Sequence, residues 1–385
     1  MIVYNGSAFV PRAVISAARL PQRSACDVDV LVLDDASPEP GWSDELEALC
    51  VTLRVGYYRS PRNLGIPRNM NLGLLRAEAA GYDLVVILIS DVVVPANLAD
   101  GLHAVAATDP TIASVTAWSN NASIFSLPND SDGAPAGSVL TDDPTVDEVS
   151  ATLADEFGAT AVDVPVGMGF CMAVTKAAIA EVGLFDPVFG RGYCEEVDWC
   201  LRAASRGMRN VLAPSVFVYH MGSASTRLAG LLGAGEQTVQ VNEEIVDQRY
   251  PTYRSDVAVW DAKGGVRDVV ARGLRRLLRD AASTRGYVVD ATWLRRAPAD
   301  PTDARVQITV NPDGPSPLVE AAGQGWRCPI PSGAAGILAA IGDFVGCAPN
   351  QVRILDRGPV ADRLAADARL AGGELRMENR YPERV

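Results

Sequence analysis

"VDVLVLDDASP", residues 28–38, decides how the first half of the chain reads. Val28, Val30, Leu31, Val32 and Leu33 run almost unbroken into two acids and a Ser-Pro turn. A short, near-continuous apolar run of this kind fits a strand buried on both faces, as in a parallel sheet covered by helices. The pattern recurs in "IVYN" (2–5), "LRVGYYR" (53–59), "YDLVVILISD" (82–91) and "IASVTAW" (112–118). "FVPRAVISAARL" (9–20) and "GIPRNMNLGLLRAEA" (65–79) carry helical spacing between those strands. This β–α–β alternation predicts an α/β fold, a doubly wound and mostly parallel sheet with its ligands at the carboxyl ends of the strands. Asn5, Asp34, Asp35 and Asp91 all fall at such ends.

Farther along, residues 119–165 are rich in Asn, Ser, Asp, Pro and Gly, and read as long loops with at most one short helix. "VGMGFCMAVTKAAIAEVG" (166–183) returns to strand and helix, and "NVLAPSVFVYHMGSAS" (210–225) supplies a strand ending at His220. From about residue 226 the pattern changes. "GGVRDVVARGLRRLLRD" (264–280) places Val266, Val269, Val270, Leu274, Leu277 and Leu278 on one helical face and arginines on the other. Packing within the protein is the simpler account of that helix; a basic surface helix on anionic lipid is the functional one. Strands near 287–294, 304–310, 351–355 and 374–378, with helices near 333–345 and 359–371, make a small α+β unit with no catalytic motif. The expected domains are 1–225, a helical extension 226–285, and an accessory domain 286–385.

Composition narrows the function. A net charge of −13 over 385 residues argues against a nucleic-acid binder, which needs excess Lys and Arg to offset phosphate. No apolar run approaches the ~20 residues of a spanning helix, and no signal pattern opens the chain. Seven scattered cysteines without a CxxC pair read as reduced thiols, and hence a cytoplasmic protein; two histidines exclude a His-rich metal centre.

The unusual segment is "GYCEEVDWCLRAASRG" (192–207), where Glu195, Glu196 and Asp198 crowd beside Tyr193 and Trp199. Acids held against apolar neighbours repel, so at least one should have a raised pKa. They take protons, bind cations, or pair with Arg202 and Arg206 one turn on. Asp34 and Asp35 could accept the ring N–H of a nucleobase or simply form an Asx turn before Ser37. Asp91 could bind Mg²⁺ or Mn²⁺ given a diphosphate or a second ligand, for which His220 is the candidate. "RNLGIPRNMNLG" (62–73) is neither a GxGxxG fingerprint nor a P-loop. Its Asn63, Gly65, Asn69, Asn71 and Gly73 permit close backbone approach and amide contacts to sugar or phosphate.

In order, "VYNG", "LDDASP", "RNLG…RNMNLG", "SDVVVP", "VTAWSNNASI", "VGMGFCMAVTKAAIAEVGLFDPVFGRGYCEEVDWCLRA" and "FVYHMGSAS" resemble the family 2 glycosyltransferases, and among them the rhamnosyltransferase-like enzymes of surface-polysaccharide assembly. The resemblance spans roughly residues 1–280, with "RYPTY" (249–253) also fitting. It implies a GT-A fold and an inverting, Mn²⁺- or Mg²⁺-dependent enzyme. Such an enzyme moves a hexosyl or deoxyhexosyl group from a nucleoside-diphosphate sugar to a hydroxyl of a glycan, lipid-linked or protein acceptor. It implies further that Glu196, six residues before Arg202, is the general base, with Glu195 and Asp198 tuning it. Asp35, with Asn5, Asp34, Asn63 and Asn71 near it, would bind the donor. Asp91 would contact both donor and metal, and His220 would be the second metal ligand. Gly169 and Phe170 of "GFCM", with Trp199, would line the acceptor side. The cysteine pattern predicts a cytoplasmic protein, and the functional account of the basic helix at 264–280 adds peripheral contact at the inner face of the membrane. Two departures stand out: the DXD-type motif reads Ile89-Ser90-Asp91, without its first acid, and Met1 lies inside the first strand. The rival readings are a non-catalytic nucleotide-sugar or carbohydrate-binding scaffold, and a sugar nucleotidyltransferase. The latter needs a Gly-rich, basic loop that "YNGSAFVPR" lacks.

Overall fold

The computed structural model describes residues 1–127, 143–221, 237–291, and in the tail 306–311, 318–322, 326–329, 336–355, 364–366, 368 and 374–377. Its contacts separate two compact units, one built on Met1–Ser126 with Asp142–Arg267 and one centred on Asp268–Val385.

The first unit opens with β1 (Ile2–Val3), α1 (Val10–Ala18), α2 (Leu20–Arg23), β2 (Leu31–Asp34), α3 (Trp42–Leu53), β3 (Gly56–Arg59) and α4 (Ile66–Ala80). The three strands form a parallel sheet in the order β1-β2-β3, with Val3 opposite Asp34 and Asp34 opposite Arg59. The run that decided the fold is therefore the middle strand. Its Val32 packs with Val10 and Val14 of α1 and Trp42 and Leu46 of α3, each such burial contributing roughly 1.5–3 kcal/mol. α4 begins with Pro67 in its first turn and stops at Gly81, whose φ of 83° lets its N–H reach back to the carbonyls of Ala77 and Glu78.

Next come β4 (Leu84–Leu88), β5 (Val92–Val93), α5 (Leu98–Ala106), β6 (Ile112–Ser119), α6 (Asp143–Phe157), β7 (Val162–Val164), β8 (Cys171–Thr175), α7 (Lys176–Val182), α8 (Glu195–Ala204) and β9 (Arg209–His220). Their sheet runs β4-β8-β6-β9-β5, with β7 also on β9. β6 and β9 are parallel, whereas β8 is antiparallel to both β4 and β6. Strand direction was not readable from the sequence, because a doubly buried strand looks the same either way. α9 (Thr238–Arg249) and α10 (Tyr253–Ala262) complete the unit. The segment expected to be loops with at most one short helix holds the 15-residue α6 and β7. Val146, Val149, Leu153 and Phe157 of α6 are buried at helical spacing, a pattern its acids and Pro144 disguise.

In the second unit α11 (Arg267–Arg285) and α12 (Ile337–Val345) accompany a sheet of β10 (Tyr287–Ala291), β11 (Val306–Asn311), β12 (Leu318–Ala322), β13 (Trp326–Pro329), β14 (Gln351–Ile354) and β15 (Glu374–Met377). Its order is β13-β12-β11-β10-β14-β15. β12 and β13 are strands the sequence pattern did not reveal, and the helix expected near 359–371 lies largely outside the described residues. Leu274, Leu277 and Leu278 of α11 are buried, so that part of its apolar face packs within the protein. A bidentate pair joins Arg353 to Asp290 across β14 and β10, at 2.5 and 2.6 Å.

Candidate active site

The carboxyl end of β2 is held together by its own acids. Asp34 is fully buried and accepts hydrogen bonds from the Ser37 N–H (2.9 Å) and from the hydroxyls of Ser37 (2.7 Å), Ser43 (2.6 Å) and Tyr57 (2.9 Å). Burial pushes its pKa up, but these donors outweigh it and leave the carboxyl below its ordinary value. Asp34 is thus the internal brace of this strand end, not the donor contact expected of it. Asp35 accepts from the backbone N–H groups of Leu64 (2.6 Å) and Gly65 (3.0 Å), and burial leaves its pKa raised. It ties the β3–α4 loop to β2. Asn5, at φ 57°, accepts from the Glu39 N–H (3.2 Å), and its own N–H donates to the Ser37 hydroxyl (2.8 Å). Asn63 is exposed. Asn71 is buried and donates to and accepts from the backbone of Phe185, both at 2.8 Å. Its amide clasps a loop 114 residues away and is not offered to a donor.

Asp91 and His220 meet. β5 pairs with β9 so that Val92 lies opposite His220, and Asp91 Oδ1 stands 3.6 Å from His220 Nε2. His220 Nδ1 lies 2.6 Å from the Asn121 carbonyl, which can only accept. The ring proton therefore sits on Nδ1, and in the neutral ring Nε2 presents its lone pair to a carboxylate oxygen. Among the described residues Nε2 has no hydrogen-bond partner, although it is buried. The Asn120 amide brackets the His220 backbone on both sides (2.7 and 2.9 Å), and the ring stacks on Phe170 at 5.7 Å. An imidazole nitrogen and a carboxylate oxygen so placed can share a proton or serve as two ligands of one cation. Their separation lies within the span that two ligands of one cation cover at bond lengths of about 2.1 Å. Among the described residues no group of three or more His, Cys, Asp or Glu forms a metal cluster.

Phe170 links this pair to the acid cluster. It follows Gly169, and the Gly169 N–H stabilises the ionised carboxyl of Glu196 at the start of α8. Burial nevertheless holds Glu196 above the usual carboxylate range, against the pull of the N–H groups of Glu196, Gly169 and Val197. Glu195 is held well above it, by burial first and then by the Glu196 charge. Each has its Oε2 sealed from solvent and, among the described residues, without a hydrogen-bond partner. The two carboxylates sit in the first turn of a ten-residue helix, where the macrodipole favours negative charge. The N-cap, Cys194, has φ 71° and Tyr193 before it 74°, left-handed positions that cost non-glycine residues roughly 1–2 kcal/mol each. Gly65, at φ 78°, abuts this loop closely enough that a Cβ would strike the Gly190 carbonyl oxygen.

Two members of the expected site do other work. Asp198 is fully buried and accepts from Arg202 Nε (2.9 Å), Arg249 Nη1 (2.8 Å) and the Tyr250 hydroxyl (2.9 Å). The pairing with Arg202 therefore belongs to Asp198, not Glu196, and Asp198 locks α8 to α9 rather than tuning a base. Trp199 is fully buried, donates to the Gly183 carbonyl (2.8 Å) and packs on Phe185 in the core; it lines no acceptor surface. Sequence reasoning missed Asn120, Arg249, Tyr250 and Asn242. Only the "SNNAS" and "RYPTY" matches touched their neighbourhood.

The first unit is thus an α/β scaffold with an acid–imidazole pair at two strand ends and a carboxylate pair, Glu195 buried and Glu196 half-buried, at the start of α8. Residues 1–149 match the family model described as "Glycosyl transferase family 2", and with the strand arrangement above this defines a GT-A-like fold. Among solved structures the chain resembles GalNAc-T7 with UDP, GalNAc and Mn²⁺, at 14% identity and TM-score 0.45 over 68% of this chain and 56% of that one. It also resembles the mannosyltransferase PcManGT from Pyrobaculum calidifontis in complex with GDP-Man and Mn²⁺, at 15% identity and TM-score 0.42 over 74% of each chain. The present chain spans little more than half the length of the first of these. No curated protein sequence matches it significantly.

Proposed function

We propose that the chain is an inverting, metal-dependent glycosyltransferase that takes a nucleoside-diphosphate sugar and a hydroxyl acceptor. The observation that carries this reading is the buried His220 Nε2, without a hydrogen-bond partner among the described residues and 3.6 Å from Asp91, its ring stacked on Phe170 next to the Gly169 that reaches Glu196. Asp91 and His220 would hold Mn²⁺ or Mg²⁺, which supplies charge neutralisation for the leaving diphosphate. Glu196 accepts the proton of the acceptor hydroxyl, and that oxygen attacks the anomeric carbon from the face opposite the diphosphate. Gly169 and the Phe170 backbone border the acceptor side. Asp35 and the 60–65 loop it holds border the donor base, and Asn5 fixes the first turn beside it. The transferred group is a hexose or deoxyhexose, and the rhamnosyltransferase-like subgroup is the one the motifs favour. The acceptor is a glycan, lipid-linked or protein hydroxyl at the cytoplasmic face of a membrane. Among the described residues no helix is long and apolar enough to cross one. Residues 286–385 act as an accessory domain.

Incubating the full chain with UDP-, GDP- and dTDP-sugars and Mn²⁺ tests the reading. Nucleoside diphosphate should be released with one of them and stop on chelation, and the product anomer, read by NMR, should be opposite to the donor's. Retained configuration removes the single-displacement mechanism. Tight nucleotide binding without any turnover favours the scaffold reading.

A further inference from the structure

The segment from Phe189 to Glu195 turns left-handed at Gly190 (φ 59°), Gly192 (φ 134°), Tyr193 (φ 74°) and Cys194 (φ 71°). Tyr193 and Cys194 carry a Cβ, and such residues stay in this region only where surrounding structure over-determines it. Gly192 does part of this by lying so close to Ile66 that a Cβ would meet its Cδ1 at 2.7 Å. Backbone bonds add to this, from the Gly192 N–H to the Phe189 carbonyl (3.0 Å) and from the Ile66 N–H to the Arg191 carbonyl (3.2 Å), and one side chain reaches three carbonyls of the turn. Asn242 of α9 is 3% exposed, and its Nδ2 reaches the carbonyl oxygens of Phe189 (3.1 Å), Gly192 (2.8 Å) and Tyr193 (3.0 Å). An amide has two hydrogens, so three such contacts require at least one shared bond. They converge on the peptides immediately before the N-cap of α8. Arg249 and Tyr250, at the other end of α9, hold the body of α8 through Asp198; Asn242 holds its entry.

We propose that Asn242 is a positioning residue for the Glu195–Glu196 pair: its amide locks the left-handed turn that sets where Glu196 stands against Gly169. This rests on the reading of Glu196 as the base. Without that grip Tyr193 and Cys194 relax toward ordinary φ, the first turn of α8 rotates, and Glu196 leaves the Gly169 N–H. The burial that raises the Glu196 carboxyl is lost with it.

The test uses the full chain with ¹³C-carboxyl-labelled glutamate, its signals assigned through Glu195→Gln and Glu196→Gln. In Asn242→Ala the Glu196 titration should move down toward the ordinary carboxylate range. Turnover of the accepted UDP-, GDP- or dTDP-sugar with Mn²⁺ should fall roughly 10–100-fold in kcat, the scale of a small misplacement, with donor KM within about twofold. Cys194→Gly in that background removes one strained Cβ and should restore part of both; it also carries the test if the single variant folds poorly. An unchanged titration and kcat in folded Asn242→Ala overturns the inference even where Glu196→Gln is inactive. Full turnover by Glu196→Gln instead removes the base assignment and leaves the titration result for Asn242 standing.

Discussion

Replacing Asp198 with Ala separates a structural hub from a catalytic acid. The substitution takes the counter-charge from two guanidinium groups and the acceptor from Tyr250. Breaking a buried pair by removing one partner usually costs about 3–5 kcal/mol. The Arg202 and Arg249 side chains are 24% and 37% exposed, so water relieves part of the loss, and Arg249 keeps Asp186 at 2.8 Å. The low end, about 3 kcal/mol, is therefore expected. For a unit of roughly 250 residues this lowers Tm by about 6–12 °C. Turnover per folded molecule, measured well below the melt, should stay within about tenfold of wild type. A chain that melts normally but loses 10²-fold or more in turnover would refute this reasoning and return Asp198 to the chemistry.

Three further outcomes follow from other parts of the site. Glu195 keeps its proton longer folded than unfolded, so stability falls as pH rises from the ordinary Glu value toward the raised one. Glu195→Gln should therefore raise Tm at neutral pH, with the gain vanishing near about pH 4; urea melts across pH check the sign. Asp34→Ala strands the buried Ser37 and Ser43 hydroxyls, while the half-buried Tyr57 hydroxyl keeps the Ser43 carbonyl, and should destabilise by about 2–4 kcal/mol in equilibrium unfolding; a neutral effect would contradict its bracing role. Gly65→Ala adds left-handed strain and a clash with Gly190, together about 2–4 kcal/mol. Because the clash displaces the loop that leads into Glu195 and Glu196 of α8, turnover should drop with stability.

The features legible in the sequence were local ones. The apolar runs of β2, β4, β6 and β9 announced themselves, and so did the polar residues that close them. Asp91 and His220 could be paired because each ends such a run, although a separation of 129 positions gave no distance; the fold supplied 3.6 Å. What stayed hidden depends on partners remote in sequence. Asp198 reads like its neighbours until Arg249 and Tyr250 arrive from α9, 51 and 52 residues on. Asn71 looks like a ligand-facing amide until Phe185 takes both of its atoms. Trp199 sits among acids, yet helical rotation sends it inward to Gly183 and Phe185. Position beside a charged residue says little about which face a helix buries.

The central claim is that Glu196 takes the acceptor proton while Asp91 and His220 serve the diphosphate. Glu196→Gln keeps shape and hydrogen-bonding capacity but cannot serve as that base. At saturating donor with Mn²⁺, the folded variant should lose about 10²–10⁴-fold in turnover, while nucleotide and Mn²⁺ affinity stay close to wild type. Near-normal turnover by folded Glu196→Gln, alongside unchanged donor binding, would contradict the account.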